Sequence, residues 1–288
     1  MNNPYRGRFA PSPTGALHRG SLVAALASWL DARAHGGTWL VRIEDIDPPR
    51  HRPGAELQQL QCLARFGMVP DEPVLRQSSR GPAYEAALQR LTRAGLVYTC
   101  SCSRSAIAAR DPASPARYPG TCRSRPAGGP GAQRFRVPEG RTTMRDRARG
   151  EITQDVQAEV GDFVLRRSDG LWAYQLAVVV DDAWQGISDV VRGADLLDNT
   201  PRQIVLQRAL GLPVPNHLHV PLVTDAKGRK LSKEDQDAPL ESADPLGELE
   251  RALRHLGFEA TGATDLAGFQ RRAIAAWRAR HGAAIAIS

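Results

Sequence analysis

Residues 5–45 run strand, rigid turn, helix, glycine break and strand, and this series reads as a β-α-β unit. Residues 5–10 and 38–45 are the strands, and residues 21–34 the helix between them, ended by Gly36 and Gly37. Pro11 and Pro13 stiffen the turn and Gly15 opens it. Such a turn carries the chain from a strand end directly into a helix N-terminus. There the first N–H groups lack intrahelical partners and the helix dipole is positive, so a nucleotide phosphate can settle at little cost.

The residues of that turn suit a phosphate. Pro11 and Ser12 follow the strand, Gly20 has no side chain to obstruct a ligand, and Ser21 opens the helix. His18 stands just before the helix, where an imidazole can donate to phosphate oxygens as charge builds on them in an in-line displacement. Taken alone, the segment is more plainly a Pro/Gly turn ahead of an ordinary helix. Far downstream, Lys230, Leu231, Ser232 and Lys233 form a KLSK run after Gly228, which alone is a solvated basic turn. Together and in this order, the two segments describe the halves of one ATP-binding site.

APSPTGALHRGSL (residues 10–22) and KLSK resemble the HIGH and KMSKS signatures of class I aminoacyl-tRNA synthetases. The fourth position of the first signature, a His in many such enzymes, is Ser21 here. RFAPSPTGALHRGSL, LVRIEDIDPPR (40–50), YQLAVVVDD (174–182), VVRGADLL (190–197) and KLSKE narrow the resemblance to the glutamyl-tRNA synthetase catalytic domain, from about residue 6 to about 235. The resemblance implies an α/β fold of the Rossmann-type class I kind, with ATP and Mg²⁺ used to activate L-glutamate. It assigns His18, Lys230 and Lys233 to catalysis, and Pro11, Ser12, Gly20 and Ser21 to ATP as well. Phe9, Ala10, Pro11 and Ser12 then also border the amino acid.

A glutamate site must neutralise the side-chain carboxylate, which a planar guanidinium does better than an ammonium. Arg8 and Arg192 are the candidates, each near the end of a strand, where α/β sheets bind ligands. Glu44 offers a carboxylate to the substrate ammonium and Tyr174 a hydroxyl. Singly, each is more plainly a surface ion pair or a packed aromatic. Asp181 and Asp182 follow an apolar block; on a strand they would point to opposite faces, so they do not read as a metal or acid/base pair, and a place near the acceptor hydroxyl is the alternative.

Further helices are expected over residues 54–66, 82–94 and 202–210, and strands over 133–137 and 163–167. Residues 98–132, rich in Cys, Pro, Gly and Arg, read as neither helix nor sheet core. The organisation expected is a first half of the nucleotide fold (1–95), an insertion (96–170), a second half ending in KLSK (171–236) and a small helical appendage (237–288) broken at Gly257 and Gly262. In the insertion, Cys100, Cys102 and Cys122 suggest a metal more than a disulfide and leave one tetrahedral corner open. The resemblance fills that corner with Tyr118, giving one structural Zn²⁺ per chain. Cys62, on the second helix, reads as a small core residue.

The chain of 288 residues has 42% hydrophobic and 24% charged residues, ordinary for a globular protein. Its net charge of +7 favours an acidic partner such as nucleic acid. No signal-type stretch or bilayer-length apolar run is present, so a cytoplasmic enzyme without membrane association is expected; a monomer is expected as well. Only 55 residues follow Lys233, whereas the charging enzyme of the family carries a large anticodon-binding portion there. The resemblance is then to a branch of the family that transfers glutamate to the queuosine base in the anticodon stem-loop of tRNA-Asp. Arg117, Arg123, Arg125, Arg271, Arg272 and Arg278 are candidate phosphate contacts. The alternatives are an enzyme charging a tRNA 3′ end, a non-catalytic glutamate- or adenylate-binding regulator, and a basic RNA-binding module.

Overall fold

The computed structural model describes residues 4–110, 112, 114, 116–223, 240 and 244–282. Lys230, Lys233 and the rest of the KLSK run lie outside the described residues. In chain order the strands are β1 (Arg6–Phe9), β2 (Thr38–Ile43), β3 (Leu75–Arg76), β4 (Val97–Cys100), β5 (Ala132–Phe135), β6 (Thr142–Asp146), β7 (Gly150–Gln154), β8 (Val164–Arg166), β9 (Asp189–Gly193) and β10 (Asn216–Val220). The helices are α1 (Arg19–Ala34), α2 (Ala55–Arg65), α3 (Gly81–Arg93), α4 (Arg104–Ala108), α5 (Val156–Glu159), α6 (Tyr174–Trp184), α7 (Thr200–Ala209), α8 (Pro245–His255) and α9 (Leu266–His281).

The expected β-α-β unit is present: β1 pairs in parallel with β2, Arg6 opposite Thr38, and α1 is the crossover. A second sheet has the order β7-β6-β10-β9, with β9 and β10 parallel. The two sheets meet where β1 lies beside β9, and Ser188 N donates to Arg6 O at 3.0 Å. Successive parallel strands run outward from this junction on opposite sides, β1 to β2 on one and β9 to β10 on the other, so β1 and β9 flank a topological switch point, where α/β sheets open a crevice. Helix α1 is buried along most of its length, through Leu22, Leu26 and Leu30, because the sheet covers one side and α8 and α9 the other. The helical tail is therefore built into the main core: Leu253, Phe269 and Trp277 join it, and Trp277 Nε1 donates to Asp31 Oδ1 at 2.8 Å.

Three expectations are corrected. Residues 174–184 form helix α6, so Asp181 and Asp182 are not strand neighbours. The run is buried on nearly every side, which erases the periodicity that separates helix from strand. Residues 98–132 do contain regular structure, since β4 and the short α4 lie within them and Tyr98, Cys100, Ile107, Tyr118 and Cys122 form a small buried core. The stretch 96–170 is also not one separate insertion: β4, β5 and β8 form an antiparallel sheet, but the β6-β7 hairpin leaves it and pairs with β10. Among the described residues no helix is long and apolar enough to cross a membrane.

Candidate active site

A cleft of about 470 Å³ opens at the C-terminal ends of β1, β2, β9 and β10. Arg8, Phe9, Ala10, Pro11, Ser12, His18, Gly20, Ser21, Glu44, Tyr174 and Arg192 all line it, so every described residue expected to hold ATP or glutamate converges there.

The turn between β1 and α1 is held from two sides. Glu44 N donates to Pro11 O (2.9 Å), and the buried Gln59 of α2 donates through Nε2 to Ser12 O (3.0 Å) and Gly15 O (2.7 Å). Gly15, at φ 136°, supplies a conformation that L side chains rarely adopt. His18 is the N-cap of α1, its Nδ1 accepting from Ser21 N at 3.3 Å. That bond makes Nδ1 the unprotonated nitrogen of a neutral ring and assigns the ring proton to Nε2, the donor side. A Cβ at Gly20 would come within 2.9 Å of His18 Cε1, so Gly20 makes room for the imidazole as well as for a ligand.

The floor of the cleft is a network of buried charges. Arg8 Nε and Nη2 bind the two oxygens of Asp182 at 3.0 and 3.3 Å. Arg42, fully buried, donates through Nη1 to Asp182 Oδ1 (2.7 Å) and through Nη2 to Glu44 Oε1 (3.1 Å). Burial alone would raise the Asp182 pKa, but the Arg8 and Arg42 guanidiniums outweigh it and push it down to about 2. In Glu44 burial prevails over Arg42 and Arg8, and its carboxyl is raised. Asp181 turns away from the cleft, accepting from Gln77 Nε2 (3.0 Å), Arg80 Nε (3.1 Å) and Tyr84 Oη (2.5 Å). It braces α3 against α6.

Arg192 is different. It is 5% exposed, yet among the described residues no carboxylate lies within 4.0 Å of its guanidinium. Its partners are neutral: His219 Nε2 (3.1 Å), Thr200 Oγ1 (2.7 Å), Gln203 Oε1 (2.9 Å), Leu196 O (3.4 Å) and Tyr174 Oη (3.5 Å). Burial lowers its pKa. Asp182 and Glu44 thus pair with Arg8 and Arg42, whereas Arg192 meets neither; Asp47, Arg50 and Asp195 also line the cleft.

Sequence reasoning missed Arg42, Gln59 and His219, and it singled out Asp182 without its arginine partners. Arg42 had a signal, being a charged residue inside the apolar LVRI strand. Gln59 and His219 had none, because their partners are far away in the chain.

Cys100, Cys102 and Cys122 bring their sulfurs within 4.8 Å of one another, and Tyr118 Oη lies 3.3 Å from Cys100 Sγ. Cys102 and Cys122 Sγ are 3.6 Å apart. Two thiolates on a tetrahedral Zn²⁺ at about 2.3 Å would be separated by roughly 3.8 Å, so the donor set fits that ion. Of the candidate phosphate contacts, Arg123 and Arg278 donate to Val137 O and Ala34 O, both at 2.7 Å, and so brace backbone; Arg125, Arg271, Arg272 and Arg278 are exposed.

A parallel nucleotide fold, a helix N-cap histidine over the cleft and a buried arginine cluster define a class I synthetase catalytic domain. Residues 5–268 match the family model "tRNA synthetases class I (E and Q), catalytic domain", and the chain belongs to that family. It is a ligase-type enzyme, and the family implies use of ATP with Mg²⁺. More narrowly, it is 58% identical to the glutamyl-Q tRNA(Asp) synthetase of Burkholderia cenocepacia J2315, over 98% of this chain and 99% of that one. Its identity to the glutamyl-Q tRNA(Asp) synthetase of Xanthomonas campestris pv. campestris 8004 is 59%, over 88% of this chain and 84% of that one. The glutamate-tRNA synthetase of Elizabethkingia anophelis superposes with a TM-score of 0.71 at 29% identity, covering 81% of this chain and 53% of that structure, so this chain spans about half its length. The glutamate tRNA ligase of Elizabethkingia meningosepticum has the same fold, with a TM-score of 0.80 at 24% identity, covering 97% of this chain and 66% of that one.

Proposed function

We propose that this enzyme activates L-glutamate with ATP and transfers it to the queuosine base in the anticodon stem-loop of tRNA-Asp. The observation that carries the first step is Arg192, a buried guanidinium facing the cleft whose partners among the described residues are all neutral. Glutamate brings two carboxylates, and a guanidinium without a carboxylate partner among the described residues is suited to receive one. Arg192, and Arg8 through the nitrogen that Asp182 does not engage, receive its carboxylates, while Glu44 accepts from its ammonium and Tyr174 adds a hydroxyl.

In the first step a substrate α-carboxylate oxygen attacks the α-phosphorus of ATP, pyrophosphate leaves and glutamyl-adenylate forms. The first turn of α1 and His18 Nε2 donate to phosphate oxygens as charge develops, and Lys230 and Lys233 are assigned the same task by the family signature. Mg²⁺, carried on the nucleotide, neutralises part of that charge. In the second step a ring hydroxyl of queuosine attacks the adenylate carbonyl, an ester forms, AMP leaves and the hydroxyl proton is lost. The second step rests on near-full-length similarity to relatives named for it.

Cys100, Cys102, Cys122 and Tyr118 hold one structural Zn²⁺ that closes the β4-β5-β8 region. The enzyme works as a cytoplasmic monomer.

The test is transfer of labelled glutamate to isolated tRNA-Asp anticodon stem-loops. Glutamylation of the queuosine-containing stem-loop and none of the guanosine one is the expected result. Label on the 3′-terminal adenosine of tRNA-Glu, with none on the stem-loop, would replace this reading by a charging enzyme.

A further inference from the structure

Behind Arg192, away from the cleft, lies a buried relay that no motif announced. His219 on β10 and Asp146 at the end of β6 are 0% and 2% exposed, and neither lines the cleft. Asp146 Oδ1 accepts from Ala148 N and Arg149 N, both at 2.9 Å, and Oδ2 accepts from His219 N at 3.1 Å. His219 Nδ1 sits 2.6 Å from Asp146 Oδ2. All these backbone neighbours are donors and an ionised carboxylate only accepts, so the ring proton between His219 and Asp146 belongs to Nδ1.

The other face of the ring follows. Arg192 Nε–H points at His219 Nε2 (3.1 Å), and a guanidinium has no acceptor to offer, so Nε2 carries a lone pair. The Thr200 hydroxyl, itself accepting from Arg192 Nη2, lies 3.2 Å from the same nitrogen and can donate to it. An imidazolium would set N–H against N–H and one buried cation against another. The geometry thus requires the neutral Nδ1–H tautomer.

We propose that Asp146 is a positioning residue for glutamate: by holding His219 in the Nδ1–H tautomer it presents at Nε2 the acceptor that fixes the Arg192 guanidinium for a substrate carboxylate. The inference rests on the reading that Arg192 receives such a carboxylate. It also gives the β6-β7 hairpin a task, since the hairpin carries Asp146 out of the cysteine-bearing region and into the catalytic sheet.

Asp146→Asn supplies an amide N–H₂ where the carboxylate accepted. If its oxygen keeps the Ala148 and Arg149 amides, its N–H₂ faces His219 Nδ1, drives the ring to the Nε2–H tautomer and opposes Arg192 Nε–H. In glutamate-dependent pyrophosphate exchange by the full chain, Asp146→Asn should raise the KM for glutamate about 10- to 100-fold, the range that follows from leaving a buried donor opposed and unsatisfied, with the KM for ATP nearly unchanged. His219→Gln, whose Oε1 can accept from Arg192 while its N–H₂ donates to Asp146, should stay close to wild type. His219→Leu should behave like Asp146→Asn. Imidazole ¹⁵N shifts should report Nδ1–H for His219 in the wild type.

An unchanged KM for glutamate in both Asp146→Asn and His219→Leu, equal losses for glutamate and ATP, or an Nε2–H ring in the wild type would overturn the proposal. Should Asp146→Asn fail to fold, the His219→Gln and His219→Leu pair makes the same comparison. Arg192→Gln separates the two levels. If it raises the KM for glutamate and the relay variants do not, the relay alone is wrong; if it leaves that KM unchanged, the reading beneath it fails.

Discussion

Arg8 and Asp182 face each other across the floor of the cleft as a buried ion pair, and Arg42 binds the same carboxylate from a third element. Strand β1, strand β2 and helix α6 are thereby locked together where the substrate would bind. Because the Asp182 pKa is about 2 in the folded protein and about 4 in an unfolded chain, its contribution is full above pH 4 and is lost as pH falls toward 2. The shift corresponds to about 2 kcal/mol. Urea unfolding at pH 7, 4 and 2.5 should show this loss, and Asp182→Asn should flatten the acid limb while lowering stability at pH 7. An acid limb of the same slope in Asp182→Asn would show that Asp182 does not set it.

Replacing His18 can separate its two tasks. Asparagine retains a side-chain acceptor for Ser21 N but loses the ring donor, so His18→Asn should keep the melting temperature and reduce kcat for adenylate formation about 10²-fold. His18→Ala should lose the same rate and, in addition, about 1 kcal/mol of stability. If His18→Asn turns over normally, the residue is a helix cap alone.

Asp31 predicts the opposite pattern, damage to stability without damage to binding. It is fully buried in α1 and binds Arg147 through two contacts of 2.6 and 2.8 Å, Trp277 Nε1 at 2.8 Å and Tyr5 Oη at 2.5 Å. Removing it leaves the buried Arg147 guanidinium with only the longer contact to Asp189 Oδ1 (3.8 Å) as a counter-charge, so Asp31→Ala should cost about 3 kcal/mol by denaturant midpoint. Where the variant stays folded, its KM for glutamate should equal that of wild type.

Elemental analysis should find about one zinc per chain. Replacing Cys100 and Cys102 together by serine should abolish it and raise protease sensitivity around residues 98–132, with the nucleotide fold intact. Zinc retained by the double variant would rule out this ligand set.

Local chemistry made much of this protein legible from its residues alone. A strand, a proline-stiffened turn and a helix start are set by neighbours in the chain, so the β-α-β unit and the placement of His18, Gly20 and Ser21 could be read directly. Strand ends carrying Arg8, Glu44 and Arg192 followed from the same local patterns. The helical state of residues 174–184 could not be read, because a segment covered on nearly all sides has no polar face to mark its period. Nor could the sequence show that Arg8 already has a partner in Asp182 while the partners of Arg192 among the described residues are neutral. Those pairings join residues more than a hundred positions apart, or depend on a histidine tautomer set by a hairpin from another region. Which charges are neutralised and which are left for a ligand is decided when the sheets meet at β1 and β9, since burial is what makes an unpaired charge costly.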